Sequence, residues 1–179
     1  MTHQHSTPSP SITKATQTDA TLLSQLAKTS FFESHGHSAS PEDTHAYANK
    51  NYTEQAMLSE LNDPANLYHI IFYNGQPAGY SKIVLNSPYA GSEISNITKL
   101  DRIYLLRNFY DLNLGSALFE YNMNLVKQNN QAGVWLYTWK ENHRAIRFYQ
   151  KHGFVIIGSY DFKLSATHSN SNHQMLLRF

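Results

Sequence analysis

Two short stretches combine residue types that can do chemistry with spacings that suit a folded site. In the first, YDLNLGSALF, Asn113 and Gly115 stand two apart where an extended segment gives way to a helical one. Both residue types tolerate positive φ, which lets successive backbone N–H groups point into one concavity. The helix N-terminus behind them adds a positive dipole end, so this turn suits a phosphate or pyrophosphate. On their own, the same residues also fit an ordinary turn and helix cap.

The second stretch is ENHRAIRFYQKHGF, which has the periodicity of an amphipathic helix. On a helix, Ala145, Phe148, Tyr149 and His152 lie on one face. In a structural interpretation, Phe148 packs in the core, Tyr149 is half-buried and Gly153 caps the helix. In a functional interpretation, Tyr149 presents its hydroxyl group to a bound molecule beyond the helix. Periodicity alone does not distinguish the two.

The elements that position these stretches follow from the pattern of apolar residues. In the N-terminal half, SITKATQTDA contains a first strand, and Thr18 or Asp19 caps a helix through TLLSQLAKTSFF. A second helix is predicted with Ser40 as its N-cap and Pro41 at its first position, and it ends before Pro64. Two helices therefore separate the first strand from the rest of the sheet.

Alternating patterns dominate the remainder of the chain. LYHIIFYNGQPAGYSKIVL predicts two strands around an Asn74-Gly75 turn. A strand (SNITKLDRIYLLRN), a helix (LGSALFEYNMNLVKQNN), a buried strand (AGVWLYTW), a short helix and a final strand pair follow. The order β-α-α-β-β-β-α-β-α-β-β predicts an α+β (α/β/α-like) domain with a mixed, mostly antiparallel central sheet of six to seven strands and about four helices. Residues 1–10 are expected to form a disordered arm, and residues 11–179 a single domain.

Composition excludes several classes of partner and site. The length of 179 residues fits one domain with a single core. The formal charge is only +1, so neither nucleic acid nor an anionic membrane is expected as a partner. Without cysteine there is no thiolate metal site or cysteine nucleophile, and His3 and His5 are a weak metal signal, so no metal is expected. The lack of a long apolar run and of a signal peptide predicts a cytoplasmic location.

Together, the two stretches resemble the GNAT superfamily of acetyl-CoA-dependent N-acetyltransferases. LDRIYLLRNFYDLNLGSALFEY is similar to the family's cofactor-binding strand, pyrophosphate loop and helix. WLYTWKENHRAIRFYQKHGFVIIG is similar to the next strand and the signature Asn-x-x-Ala-x-x-Phe-Tyr-x-Lys-x-Gly-Phe. That signature is matched here by Asn142, Ala145, Phe148, Tyr149, Lys151, Gly153 and Phe154. The resemblance implies the GNAT fold, acetyl-CoA as the donor and coenzyme A as a product.

The resemblance also implies which residues bind the cofactor. A strand edge from Ile103 to Leu106, splayed from the next strand around 134–137, would hold the pantetheine arm by main-chain hydrogen bonds. A backbone N–H near Leu105 would meet the thioester carbonyl. The implied set is Ile103, Leu105, Leu106, Tyr110, Asp111, Leu112, Asn113, Leu114, Gly115, Ser116, Asn142, Ala145, Phe148 and Lys151. Tyr110 and Asn113 depart from the family's Gln/Arg-x-x-Gly-x-Gly/Ala loop pattern, which predicts weaker cofactor affinity.

Acetyl transfer from a thioester to an amine requires a proton donor and a proton acceptor. By resemblance, Tyr149 is the general acid for the departing thiolate, because a phenol and a thiol have similar basicity. Asp101 is the first choice of base, since alternation along the strand places it on one face with Ile103 and Leu105. The alternatives are Glu60, Glu93 and Glu141, or loss of the amine proton directly to solvent.

The acceptor pocket is expected between the first two helices and the hairpin. Phe31, Phe32 and Tyr80 are predicted to bind the substrate there, with Glu60 among the carboxylates available to attract a cation. The expected reaction is transfer of the acetyl group to the primary amine of a small molecule, a polyamine or another amine, by direct attack in a ternary complex. The alternative is a non-catalytic acyl-CoA-binding or protein-interaction module. A homodimer is common in the family, although no interface pattern marks one here.

Overall fold

The computed structural model describes residues 10–179. Its elements are β1 (Pro10–Lys14), α1 (Ala20–His35), α2 (Pro41–Asn51), α3 (Glu54–Asn62), β2 (Asn66–Tyr73), β3 (Gln76–Val84), β4 (Thr98–Leu105), α4 (Leu114–Gln128), β5 (Gly133–Trp139), α5 (His143–Lys151), β6 (Val155–Lys163) and β7 (Ser169–Arg178). Of the predicted disordered arm, residues 1–9 lie outside the described residues. The last residue of that predicted arm, Pro10, is instead the first residue of β1.

The seven strands form one sheet in the order β1-β2-β3-β4-β5-β7-β6. Every neighbouring pair is antiparallel except β4 and β5, which α4 connects by a crossover. The β2–β3 hairpin turns at Asn74 and Gly75, both with positive φ, as the two-residue turn requires. The predicted mixed, mostly antiparallel α+β sheet is therefore confirmed.

The region between residues 40 and 63 forms two helices where the sequence pattern predicted one. The Ser40 hydroxyl accepts a hydrogen bond from the Asp43 backbone N–H at 3.1 Å, and Pro41 opens α2, as predicted. The chain then leaves the helical conformation, and the Thr53 hydroxyl accepts a hydrogen bond from the Ala56 N–H at 3.1 Å. This second cap restarts the chain as α3. Residues 10–179 thus contain five α-helices, one more than predicted.

Both faces of the sheet are covered by helices. The face toward α1, α2 and α3 buries Leu23, Leu26, Phe31, Met57, Tyr68, Ile70 and Tyr80. The face toward α4 and α5 buries Ile83, Phe119, Met123, Val126, Leu136, Tyr149 and Phe154. Each fully buried side chain of this size contributes about 1.5–3 kcal/mol relative to exposure. These two clusters hold the sheet rigidly where its central strands separate.

The parallel strands β4 and β5 pair over only part of their length. Thr98 pairs with Val134 and Lys99 with Trp135, but no further pair forms along either strand. The strands then diverge, so the edge of β4 after Lys99 and that of β5 after Trp135 face an open gap. A bulge accompanies the divergence, because Arg102 and Leu100 oppose consecutive residues of β3 and Asp101 opposes none.

A buried histidine on β2 makes the stability of the fold sensitive to acid. His69 is 2% exposed, and its Nδ1 has no hydrogen-bond partner among the described residues. Burial, with a smaller effect of Lys14, lowers the pKa of His69 from 6.5 to about 4. A lowered pKa means that the unfolded chain takes up this proton first. The contribution of neutral His69 to the free energy of unfolding is therefore fully present above pH 6.5. It is lost progressively as the pH falls from 6.5 toward 4, by at most about 1.4 kcal/mol per pH unit.

We expect His69→Phe to reduce the loss of unfolding free energy between pH 7.5 and pH 5, measured by urea denaturation. Phenylalanine keeps a ring against Tyr121, whose ring centroid lies 4.9 Å from that of His69, but it removes the titrating group. His45→Phe, at an exposed position on α2, is the control and should leave the pH dependence unchanged. An equal loss in wild type and His69→Phe would contradict the assignment.

Candidate active site

The gap between β4 and β5 opens into a cavity of about 440 Å³. Its wall is built from α1, from both diverging strands, from the start of α4, from α5 and from the β6–β7 pair. The predicted site residues that line it are Phe31, Asp101, Ile103, Leu105, Tyr110, Gly115, Asn142, Ala145, Phe148 and Tyr149. The fold thus brings together predicted residues from α1, β4, the loop before α4, the start of α4 and α5, which are far apart in the chain.

Other predicted residues lie outside the cavity wall. They are Leu106, Asp111, Leu112, Asn113, Leu114, Ser116, Lys151, Phe32 and Tyr80. Tyr80 is 1% exposed and packs between the rings of Tyr68 and Tyr104 in the core, while Phe32 packs against His45 on α2. Neither side chain therefore lines this cavity, since Phe32 contacts α2 and Tyr80 lies in the core, and their role in substrate binding stays a prediction.

The backbone of β4 presents hydrogen-bonding groups to the gap. The Leu106 N–H donates to the Ala78 carbonyl at 2.9 Å, and the Leu106 carbonyl accepts from the Phe109 N–H. Since backbone groups alternate sides along a strand, the N–H groups of Ile103 and Leu105 point away from β3 and toward the gap. Leu106 has both groups occupied and so does not supply the edge hydrogen bond predicted for it.

The loop before α4 adopts the left-handed conformation that the sequence suggested, but at different residues. Asn113 has φ 57° and is the N-cap of α4, as predicted. Asp111 also has positive φ, at 63°, whereas Gly115 lies inside the helix with ordinary helical geometry. The tolerance of positive φ is thus used at Asn113 and not at Gly115. A Cβ at this position would contact only the Leu105 side chain, at 3.6 Å. Gly115 therefore lines the cavity without a side chain that would occupy part of its volume.

The first turn of α4 offers unsatisfied backbone donors beside the cavity. The first hydrogen bond of the helix runs from the Ala117 N–H to the Asn113 carbonyl, at 3.1 Å. Within residues 10–179, the N–H groups of Leu114, Gly115 and Ser116 have no backbone or side-chain acceptor. These three donors and the positive end of the helix dipole form a site that suits an anion.

Arg144, at the start of α5, reaches across to this loop. Its guanidinium lies 3.7 Å from the centroid of the Tyr110 ring and 3.8 Å from the Asp111 carboxylate. Tyr110, whose departure from the family pattern predicts weaker cofactor affinity, and the neighbouring Asp111 both contact this one cation. Arg144 is 56% exposed and lines the cavity, so its charge is available to a bound anion.

The remaining signature residues of α5 combine structural and surface roles. The Asn142 side-chain oxygen accepts a hydrogen bond from the Ala145 N–H at 3.1 Å and so caps the helix. Its amide NH₂ group has no partner among the described residues, and both Asn142 and Ala145 line the cavity. Phe148 packs edge-on against Phe119 of α4, which fixes the orientation of α5.

Tyr149 is packed as a core residue, and its hydroxyl still reaches the cavity. The side chain is 8% exposed, and its ring packs against those of Phe148 and Phe154. The hydroxyl has no hydrogen-bond partner in the described part of the chain, yet it is not among the fully enclosed polar atoms. Burial, and secondarily the neighbouring Tyr104, raise the pKa of Tyr149 well above 10. The phenol therefore stays protonated and can donate.

Asp101 does not share a face with Ile103 and Leu105, because the bulge breaks the alternation on which that prediction relied. Its carboxylate lies 2.6 Å from the Lys99 ammonium, 3.3 Å from that of Lys82 and 3.9 Å from the Arg102 guanidinium. Burial alone would raise its pKa, but these three cations outweigh burial and lower it to about 2. Asp101 is therefore a poor proton acceptor.

The cations around Asp101 also engage Glu60 of α3. Arg102 donates to both Glu60 oxygens, at 3.0 and 3.3 Å, and Lys82 donates to the same carboxylate. This charge cluster, defined as Glu60, Lys82, Lys99, Asp101 and Arg102, ties α3 to β3 and β4. It locks the bulge at the base of the cavity, and both carboxylates are already paired with cations.

Several residues of the cavity wall were not predicted from the sequence. They include Ser34, His35, Tyr104, Tyr137, Thr138, Trp139, Arg144, Asn170 and Asn172. Arg144 lies within the recognised signature and could have been found there. The others come from the C-terminal end of α1 and from three strands, and no local motif marks them. Among residues 10–179, no helix is long and apolar enough to cross a membrane, and no group of three or more His, Asp or Glu side chains could hold a metal ion.

Comparisons with known proteins agree with this geometry. The model of the acetyltransferase (GNAT) family matches residues 22–154. An uncharacterized N-acetyltransferase from the pepI 3′ region of Lactobacillus delbrueckii subsp. lactis is 25% identical over 153 residues, covering 86% of this chain and 88% of the relative. An uncharacterized N-acetyltransferase from Mycobacterium tuberculosis is 26% identical, covering 86% of this chain and 94% of that protein.

A solved structure extends the likeness to the whole fold. The PaiA N-acetyltransferase of Thermoplasma acidophilum, crystallised in complex with coenzyme A, superimposes with a TM-score of 0.77. The match covers 96% of this chain and 99% of that one at 20% identity. Since the family model spans most of the chain, including β4, the anion-binding turn and α5, the protein belongs to the GNAT family of acetyltransferases.

Proposed function

We propose that the cavity binds acetyl-CoA in the gap between β4 and β5 and transfers the acetyl group to the primary amine of a small molecule. The observation that carries this proposal is the convergence of three features on one cavity. They are a strand edge with unpaired N–H groups, an anion-binding helix start and the free hydroxyl of Tyr149.

The residues present fit the donor. The N–H groups of Ile103 and Leu105 suit the amide carbonyls of a pantetheine arm, as an added strand would. The three N–H donors at the start of α4 suit the pyrophosphate, and Arg144 adds a cation beside them. Gly115 lines the cavity and adds no side chain beside these donors. The Asn142 amide is placed to hold the arm between these ends.

The chemistry requires few protein groups. The acetyl thioester supplies an electrophilic carbonyl and a thiol leaving group. The Leu105 N–H is a donor for the negative charge that develops on the carbonyl oxygen. Tyr149 donates its proton to the departing sulfur. Since the sequence contains no cysteine to carry the acetyl group, direct attack by the amine in a ternary complex is the proposed route.

The acceptor end of the cavity favours an amine with an aromatic or other apolar body. Its wall includes Phe31, Tyr104 and Trp139. Asp101 and Glu60 are the carboxylates of the charge cluster, and three cations already neutralise them. A polyamine would need further acidic groups to hold its additional ammonium groups. We therefore place monoamines ahead of polyamines in the choice of substrates.

Arg144 and Asp111 carry opposite charges beside the turn at the start of α4, so neutralising each of them in turn tests whether this turn binds the phosphates. Arg144→Gln should raise the KM for acetyl-CoA about tenfold, since it removes a cation beside the phosphates. Asp111→Asn should lower this KM, because it removes an anion from the same loop. Both should leave kcat within about twofold. Steady-state kinetics with varied acetyl-CoA measures these constants, and a rise in KM for Asp111→Asn would count against phosphate binding at this turn.

A thiol-release assay with wild-type protein tests the proposed function. Acetyl-CoA is offered with a panel of arylalkylamines, aliphatic monoamines, polyamines and a peptide with a free N-terminus, and the acetylated product is verified by mass spectrometry. Amine-dependent release with at least one small amine supports the proposal. Thiol release with the peptide alone would show that the acceptor is a peptide N-terminus and not a small molecule. The absence of thiol release with every amine would reject the proposed acetyl transfer.

A further inference from the structure

We propose that His35, at the C-terminal end of α1, accepts the proton of the attacking amine in the transfer reaction. This inference rests on the proposed function and adds a catalytic residue that the sequence motifs do not contain. Its basis is the position of His35 in the cavity wall and the hydrogen bond that fixes its tautomer.

The hydrogen bonds around His35 determine which ring nitrogen carries the proton. The Ser34 hydroxyl oxygen lies 2.6 Å from the Ser30 carbonyl oxygen, to which it must donate its only proton. The same hydroxyl lies 2.7 Å from Nδ1 of His35, so it accepts a hydrogen bond from Nδ1–H. Nε2 is therefore the unprotonated nitrogen of the neutral ring, and its lone pair is available.

The ring is held in place by aromatic neighbours from three elements. It stacks on Phe31 with centroids 5.8 Å apart and an interplanar angle of 9°. Tyr104 of β4 meets it edge-on at 6.0 Å, and Trp139 of β5 lies 5.8 Å away. Nε2 has no partner in the described part of the chain and is not among the enclosed, unpartnered polar atoms. His35, Tyr104 and Tyr149 all line this one cavity.

The electrostatic surroundings keep His35 neutral at physiological pH. The titratable groups that face it are His37, on the following loop, and Tyr104, on β4. Burial, and secondarily His37, lower the pKa of His35 from 6.5 to about 4. In contrast to Asp101, whose oxygens are paired with cations, Nε2 can accept a proton without breaking an existing contact. The imidazole is thus neutral at physiological pH, and because burial also makes it a weaker base than free imidazole, it takes the proton only once the attacking nitrogen has gained positive charge.

The proton balance of the step is complete. The amine nitrogen forms a bond to the acetyl carbon while the carbon–sulfur bond breaks. As the nitrogen gains positive charge its N–H becomes acidic, and Nε2 of His35 takes that proton. Tyr149 gives its proton to the sulfur, and solvent then returns a proton to Tyr149 and removes one from His35. The net products are an amide and a thiol.

The test compares His35→Ala with His37→Ala, using the best amine from the panel. We expect His35→Ala to lower kcat about 100-fold at pH 7.5, with unchanged acetyl-CoA affinity by calorimetry. The difference in kcat between His35→Ala and wild type should become smaller as the pH rises, because more of the amine then loses its proton to solvent. Added imidazole should restore part of the rate of the variant. His37→Ala removes only the smaller of the two effects on the pKa of His35 and one ring contact from the exposed loop, so kcat should stay within about threefold of wild type. If His35→Ala does not fold, His35→Gln undergoes the same pH series.

The outcomes separate this inference from the proposed function. An active wild type with full activity in His35→Ala would overturn the role of His35 alone. A pH-independent loss without rescue by imidazole would also overturn it, because that pattern indicates a structural role. Absence of transfer by wild type on every amine would instead reject the proposed function itself.

Discussion

Replacing Tyr149 by phenylalanine is expected to lower kcat by about two to three orders of magnitude, the range typical of a lost general acid. The aromatic ring is held by Phe148 and Phe154 and would remain in place, since only the hydroxyl is removed. That hydroxyl makes no hydrogen bond within residues 10–179, so its loss leaves no buried partner unsatisfied. Stability and acetyl-CoA affinity should therefore be unchanged.

A second tyrosine of the same cavity provides the control. Tyr160 also lines the cavity, but it is 45% exposed and stacks on Tyr137 at the β6 side. Tyr160→Phe should retain kcat within about twofold. Measurement of kcat at saturating acetyl-CoA, with the melting temperature of each variant, distinguishes loss of a proton donor from loss of folding. Near-wild-type kcat in Tyr149→Phe would remove Tyr149 from the proposed mechanism.

The largest effect on stability is expected at Glu60. Glu60→Gln should lower the free energy of unfolding by about 2 kcal/mol, because removing one member of a partly buried ion-pair cluster leaves Arg102 and Lys82 without their carboxylate. Arg102 would lose a bidentate carboxylate and Lys82 its shortest contact, while Asp101 alone would face three cations. Tyr68, which donates to the same carboxylate, would compete with Arg102 and Lys82 for the one amide oxygen that remains.

Urea denaturation at pH 7.5 measures this change. Glu120→Gln is the matched control, since Glu120 is exposed on α4 and should alter stability by less than about 0.5 kcal/mol. If Glu60→Gln is as stable as Glu120→Gln, the charge cluster does not hold the bulge in β4. An equal decrease in the free energy of unfolding in both variants would mean that the change in net charge, and not the loss of the Glu60 contacts, destabilises the protein.

The features that could be predicted from sequence were those fixed by local rules. The Asn74-Gly75 turn, the Ser40 cap and the left-handed Asn113 each depend on a few adjacent residues, and the structure has all three. The α5 signature carried the family assignment, because its residues combine capping, packing and surface roles at a fixed helical spacing. The assignment of Tyr149 as general acid remains a prediction.

The errors arose where distant residues override local periodicity. Alternation predicted the face of Asp101, but three cations from β3 and β4 stabilise a bulge that rotates it away. Tyr80 lies in the core and Tyr104 lines the cavity, although both are tyrosines on central strands. Their local sequence does not distinguish these two positions, because they depend on the tertiary structure. His35 follows no motif, since its chemistry depends on a hydrogen bond to Ser34 and on strands distant in sequence.

Calorimetric titration of acetyl-CoA into wild type and two variants of Gly115 tests the central claim, that the β4–β5 gap holds the donor, most directly. Gly115→Ala adds a Cβ that meets only Leu105, at an ordinary contact distance of 3.6 Å, and should bind nearly as wild type does. Gly115→Trp places a large ring in the cavity and should abolish binding while the protein stays folded. Saturable binding by wild type without turnover of any amine would favour a non-catalytic module. No binding by wild type, or equal binding by Gly115→Trp, would contradict the account.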